Sequence, residues 1–465
     1  MTLLASCPLD VLETFRVPYG IDDESSRPAG GRVVSTRGAE LIWVAPQPSA
    51  PRAWYRIGAI RLYGATAAED DVQRMLGARA HDWQRADPVL DLKGSPVAFV
   101  WRASDGSSLF PFDPNELVRA LLREEYLHGA ATISFVRGLY YRVRPVLPRS
   151  VQMRARRRFV RVQERASFPS WPAETALHDL YRYLLLLVEK VLGAPLPWIA
   201  PWPQPYVWAV ALTHDVERAV GYAHVETIAA LERGAGVRSA WYFIPERDYT
   251  VDPELVRTFS DAGFEIGVHG LRHDGRDLAA GVFEGRLPAM REYGRRWGSV
   301  GFRAPATQRS WERMEQLGFD YDSSYSDVAR YEPQPGGSCS WLPFFIGDVV
   351  ELPITLPMDH TLFELLAQED GRLWFEKASF LREQGGIALL LTHPDYMLQP
   401  VRLAEYERFL SHVACDSSAW LALPREVAVW WRRRAASSLE LHGAGWRVVG
   451  PAANDARVVL GSSGV

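Results

Sequence analysis

From about residue 205 to 415, short apolar runs alternate with helical segments, and this alternation constrains the fold more than any other feature of the chain. Seven runs stand out: "YVWAVALTHD", "SAWYFIP", "FEIGVHG", "SVGFRAP", "FDYDSS", "VVELPI" and "GIALLLTHPD". Between them lie helices such as "DPELVRTFSDAG" and the Arg-rich helix before Trp297. Such spacing predicts parallel strands with crossover helices, because parallel strands need long connections and are covered on both faces. Seven of them predict a barrel rather than an open sheet.

The flanks are organised differently. Residues 1–150 mix strand-like runs such as "ELIWVAP" with an amphipathic helix, "PNELVRALLREEYLHG", which Asp113 can cap with Pro114 in its first turn. Residues 151–204 hold a basic stretch, "RARRRFVRVQER", and one long helix, Ala173 to Leu192, between proline-rich segments. The basic stretch reads as a solvated connector, with a seat for an anionic group as the alternative. Residues 416–465 give a last helix, "LPREVAVWWRRR", and a β-ribbon with glycine turns. The expected domains are therefore an α+β domain at 1–150, a connector at 151–204, the barrel at 205–415 and a small C-terminal segment at 416–465.

Within the barrel region, unusual polar residues fall at the C-terminal ends of four runs. "VALTHDVE" ends in His214, Asp215 and Glu217; "EIGVHGLRHD" carries His269, His273 and Asp274; "SVGFRAP" ends near Arg303; and "ALLLTHPD" carries His393 and Asp395. The loops at that rim of a β/α barrel converge on one mouth. His269 and His273 stand one helical turn apart in sequence, so both imidazoles can face one way; the plain alternative is two polar loop residues. Two histidines and a carboxylate give three ligands and leave a position open, as in a catalytic zinc-type site. A further carboxylate can serve as general base, a separate histidine as general acid, and Arg303 can keep the base ionised. Metal-assisted hydrolysis of an amide or ester needs all of these.

Composition narrows the partners. A net charge of −4 gives no general affinity for nucleic acid. Cys7, Cys339 and Cys415 form neither a CxxC pair nor a disulfide framework, which suits a reducing compartment. The opening "MTLLASCPLDVLETF" lacks a basic region followed by a long apolar run, so no signal peptide and a cytoplasmic location are expected. "LYRYLLLLVEKVLG" is too short and too charged to span a membrane. The 17 tryptophans suit sugar faces, but core packing is the favoured reading.

The ordered set "LTHDVE", "HGLRHD", "GFRAP", "YDSSYS" and "LLLTHPD" resembles the polysaccharide deacetylases of the NodB-homology superfamily (carbohydrate esterase family 4-like), over about 205–415. "HGLRHD" matches that family's His-x-x-x-His metal motif, "FRAP" its Arg-x-Pro motif and "LLLTH" its late Leu-x-His motif. The "FPFDP…LREEYLHG" segment also looks like the N-terminal region of a bacterial subset. The resemblance implies a distorted (β/α)7 barrel, a divalent metal with zinc the expected ion, and removal of an N-acetyl or O-acetyl group from an amino sugar or its precursor in envelope or exopolysaccharide metabolism. Carried over by motif, His269, His273 and Glu217 hold the metal, Asp215 is the base, Arg303 its partner and His393 the acid. Two departures stand out. Asp215 is followed by Val216 and Glu217 rather than by a second aspartate, so Asp215 as ligand with Asp395 as base remains the alternative. Ala306 stands where many members place an aromatic that shapes the sugar groove. Asp274 reads as a helix cap or an outer partner of the site, and Asp322 as a turn former. Two other functions compete: an amidohydrolase of a small non-sugar amide, and an inactive barrel that binds carbohydrate or a protein partner.

Overall fold

The computed structural model describes residues 3–22, 30–127, 156, 158, 160–443 and 445–462. Of the basic stretch, residues 154, 155, 157 and 159 lie outside the described residues, as do His128 and Gly129 of the N-terminal motif. The chain divides into two compact units, each assembled from separate stretches of sequence.

The first unit comprises Met1–Tyr126, Thr175–Ala200 and Arg433–Val465. Nine strands between Leu3 and Phe110 form one mixed sheet. The helix Pro114–Leu122 begins as its sequence indicates: the Asp113 side chain accepts from Asn115 N at 2.9 Å and Glu116 N at 3.3 Å, and Pro114 supplies the first helical residue. The helix Ala176–Leu192 buries its apolar stripe and ends at Gly193, whose φ of +68° suits glycine. Ser438–His442 and Gly445–Val449 pair as the C-terminal ribbon, and Val458–Leu460 pairs antiparallel with Pro197–Ile199.

The second unit comprises Leu127–Glu174 and Pro201–Arg432. Its strands are β1 (Trp208–Val216), β2 (Ala240–Phe243), β3 (Glu265–Val268), β4 (Gly301–Phe302), β5 (Tyr321–Asp322), β6 (Phe344–Ile346), β7 (Val349–Glu351), β8 (Ile387–Thr392) and β9 (Ala419–Leu421). They line up as β6-β7-β5-β4-β3-β2-β1-β8, with β9 also against β1. All seven apolar runs are strands of this sheet. Every pairing is parallel except the β6–β7 hairpin. All nine residues of β1 and all six of β8 are buried, as strands covered on both faces must be. The result is a mixed α/β unit with a half-barrel sheet. Its ladder is open, with β6 and β8 at the edges. Across the gap, Thr355 and Leu356 N–H donate to Leu389 O at 3.2 and 3.1 Å.

Helices α1 (Val225–Gly234), α2 (Pro253–Asp261), α3 (Phe283–Trp297), α4 (Arg372–Glu383) and α5 (Pro400–Ala414) connect the strands. Asp252 caps α2 at Glu254 N, 2.9 Å, and Gly298 in the left-handed region ends α3. The sheet's inner side is filled by Tyr242 and Tyr321, whose hydroxyls meet at 2.8 Å. Gly267 and Gly301 make room for them: a Cβ there would stand 2.3 Å from the Tyr242 ring and 2.1 Å from the Tyr321 ring. Twelve of the 17 tryptophans are buried, which favours core packing over a row of sugar platforms.

Candidate active site and metal centre

Strand alternation decides what β1 presents. Successive side chains point to opposite faces, so Thr213 and Asp215 face inward and His214 faces the helices. His214 is correspondingly far from the site chemistry. It is fully buried between Thr392 Oγ1 at 2.8 Å and Glu232 Oε1 of α1 at 2.7 Å, and it stacks on Trp241. Asp215 meets Arg303: Nη1 donates to Asp215 Oδ1 at 3.0 Å and to Thr213 Oγ1 at 3.0 Å.

Arg303 follows β4 and is completely buried. Its Nε donates to Ser323 O at 2.7 Å and its Nη2 to Ser323 Oγ at 2.9 Å, while the guanidinium lies 4.3 Å from the Tyr242 ring centre. A planar cation held this way cannot turn from Asp215 without losing several bonds at once.

Glu217, His269 and His273 converge: each offers a ligand atom, and the three atoms lie within 4.8 Å of one another. The histidine pair is not set by a helical turn. His269 follows β3 and the chain then reverses through Gly270, φ +60°, and His273, φ +52°. Gly270 admits no Cβ, which would meet Asp277 Oδ2 at 2.3 Å. A left-handed non-glycine residue is uncommon and costs energy, and here it is His273, one of the three converging residues.

The donor set fits a divalent ion. His269 Nδ1 bonds Arg303 O at 3.1 Å, which makes Nδ1 the protonated nitrogen and leaves a lone pair on Nε2. That buried Nε2 has no hydrogen-bond partner. It lies 3.5 Å from Asp215 Oδ2. Burial pushes the His269 pKa down to about 4, so the ring is neutral as a ligand must be. His273 Nε2 reaches Glu217 Oε1 at 2.9 Å. Burial alone would raise the Glu217 carboxyl, but His273, His393 and His269 outweigh it and hold it well below the usual range. An acid held ionised beside two imidazoles is a ready metal ligand.

His393 closes the site opposite. Its Nε2 stands 3.8 Å from Glu217 Oε1. Its Nδ1 is bound by Asp359 Oδ1 at 2.7 Å, and its backbone N donates to Asp359 Oδ2 at 2.8 Å. Burial works against the imidazolium, yet Asp359, then Glu217 and Asp215, push the pKa up to about 10. Asp359 was missed in the sequence, where the only signal is one acid in the apolar run "LPITLPMDH".

The other candidates stand outside the cluster. The carboxylate that grips His393 is Asp359, not the neighbouring Asp395. Asp395 Oδ2 instead accepts from Glu217 N at 3.2 Å, and burial raises its pKa to about 6. Asp274 binds Arg286 at 2.6 and 2.7 Å and accepts from Arg276 N, the outer role expected. Asp322, read from the sequence as a turn former, is fully buried at the end of β5, where Ser324 Oγ donates to its Oδ1 at 2.8 Å. Ala306 sits in the left-handed region, φ +55°.

No protein-family profile matches the chain, and no curated protein matches it. Solved structures do. A candidate polysaccharide deacetylase from Mycobacterium smegmatis aligns at 23% identity over 52% of this chain and 96% of its own, with a TM-score of 0.42. A probable polysaccharide deacetylase from Pseudomonas aeruginosa aligns at 20% identity over 50% and 94%, TM-score 0.41. The Puue allantoinase aligns at 17% identity over 50% and 93%, TM-score 0.41. Over about half its length, then, the chain is similar to solved polysaccharide deacetylases and family 4 carbohydrate esterases, at low identity.

Proposed function

We propose that the second unit is a metal-dependent deacetylase built on a distorted (β/α)7 barrel, acting on an N-acetyl or O-acetyl amino sugar or sugar precursor. The observation that carries this reading is the convergence of Glu217, His269 and His273 between two oriented acid–base groups, Asp215 on Arg303 and His393 on Asp359. Glu217, His269 and His273 would hold a divalent ion, zinc being the one expected for two imidazoles and a carboxylate, and that ion would supply Lewis-acid polarisation of the acyl carbonyl.

The protein residues do the rest. Asp215, kept ionised and aimed by Arg303, takes a proton from the attacking water. His393, charged and held by Asp359 through Nδ1, presents Nε2–H to the departing group. An amine leaves only when protonated, so this second proton transfer is what suits the site to amides. Among the described residues no helix is long and apolar enough to cross a membrane.

The test is metal analysis of the purified protein followed by acetate release from a panel of N-acetyl sugars. His393→Ala should lose about 10²–10⁴-fold in rate on the amide and far less on an activated acetate ester. Equal losses on both, with the metal retained, would assign His393 to oxyanion stabilisation instead. A protein without a bound divalent ion or acetate release from any of the sugars would sink the reading.

A further inference from the structure

Two buried acids stand side by side behind Arg303. Asp322 on β5 and Glu351 on β7 are direct register partners on parallel neighbouring strands, and both are fully buried. Glu351 Oε1 accepts from Ser324 N at 3.0 Å and Tyr325 N at 2.9 Å. Asp322 Oδ1 accepts from Ser324 Oγ at 2.8 Å. The second oxygen of each, Asp322 Oδ2 and Glu351 Oε2, is buried and has no hydrogen-bond partner.

We propose that Glu351 and Asp322 share one proton between these two oxygens, and that this acid pair is the positioning element for Arg303.

Two buried carboxylates facing each other repel, and a proton shared between them links the two acceptors directly. Among the described residues the cation facing the pair is Arg303, which acts on Asp322; the Ser324 and Tyr325 amides and the Ser324 hydroxyl also face it. Burial raises both acids, and the charge of Asp322 raises Glu351 furthest, so the proton resides on Glu351. The neutral acid then donates to the Asp322 carboxylate.

The pair reaches the site through four residues. It grips the turn 322–325 from both sides, and Ser323 in that turn takes Arg303 Nε through its carbonyl and Nη2 through its hydroxyl. Ser323 Oγ donates in turn to Leu352 O, next to Glu351, at 2.8 Å, and Ser324 Oγ accepts from Ala304 N at 2.8 Å. Losing the shared proton would place a second negative charge beside this turn and loosen the seat of Arg303, hence the aim of Asp215. That catalytic consequence rests on the deacetylase reading; the proton itself does not.

Infrared spectroscopy of the full-length protein reports the carbonyl stretch of an un-ionised carboxylic acid. At pH 8 we expect wild type to show one such acid that Glu351→Gln and Asp322→Asn both lack. Spectra without that difference overturn the shared proton, and the second variant decides if the first does not fold. For the positioning role, Glu351→Gln keeps a donor toward Asp322 and should retain most of kcat. Glu351→Leu keeps none and should lose at least about tenfold in kcat with KM unchanged. Equal kcat in the leucine variant and wild type refutes positioning. Should the protein release no acetate, exchange of the Arg303 Nε–H, identified by its absence in Arg303→Lys, decides instead: slow in wild type and Glu351→Gln, at least about tenfold faster in Glu351→Leu. Slow exchange in all three refutes the role.

Discussion

His269 serves two partners with one ring: Nδ1 is anchored on the Arg303 carbonyl and Nε2 is left for a ligand. His269→Ala should lower divalent-metal affinity by more than the roughly 10–100-fold seen for outer partners, with circular dichroism unchanged. The two acids of "THDVE" should separate by the same measurement. Glu217→Gln should lose metal; Asp215→Asn should keep it and lose kcat by about 10²–10⁴-fold. The opposite pattern reverses their roles. For His393 the raised pKa fixes the sign of the pH effect. The protonated form persists until about pH 10, so the acid-dependent rate should fall as pH rises through that value. The stabilisation from the Asp359 pair is complete below the ordinary histidine range, near pH 6.5, and is lost as pH climbs to about 10. Asp359→Asn removes the counter-charge, and the alkaline limb should move at least one unit down. An unmoved limb would mean that another group sets it.

At the scale of elements, the glycines of β3 and β4 carry a prediction. Gly267→Ala puts a methyl 2.3 Å from the Tyr242 ring, and Tyr242 supports Arg303. Overpacking of this kind costs about 1–3 kcal/mol, so thermal unfolding should shift down while kcat falls as well. Unchanged kcat would show that the ring does not brace the guanidinium. The strands themselves were legible because each is a short apolar run with turn or helix signals at both ends. Helix caps such as Asp113 were legible because the signal is local. His214 was the avoidable error of emphasis: with Asp215 facing in, period-two alternation already turns its neighbour out. Asp359 was not legible. It reaches His393 only because Thr355 and Leu356 bond to Leu389 across the sheet's gap, a tertiary event 34 residues from the histidine. The pairing of Asp322 with Glu351 is hidden for the same reason, since sequence spacing carries no register.

At the scale of the whole chain, the two units interleave in sequence. The helix Ala176–Leu192 and everything from Arg433 onward belong with the N-terminal sheet. The strand Val458–Leu460 closes on Pro197–Ile199, and Trp198 Nε1 donates to Gly461 O at 3.0 Å. Deleting residues 436–465 should therefore lower the unfolding temperature of the first unit by about 10 °C or more in calorimetry, while the second unit still binds metal. Loss of metal binding in the truncated protein would show that the second unit does not fold independently of that tail. The interleaving also sets a timetable for synthesis. The first 126 residues leave the ribosome early, yet their last partners begin only at Arg433. At 5–20 residues per second that is a wait of roughly 15–60 s, during which the uninterrupted stretch from Pro201 to Arg432 can complete its sheet first. The nascent N-terminal sheet must meanwhile stand without the segment from Arg433 onward that belongs to its unit, and it is there, not in the second unit, that a chaperone would find its client.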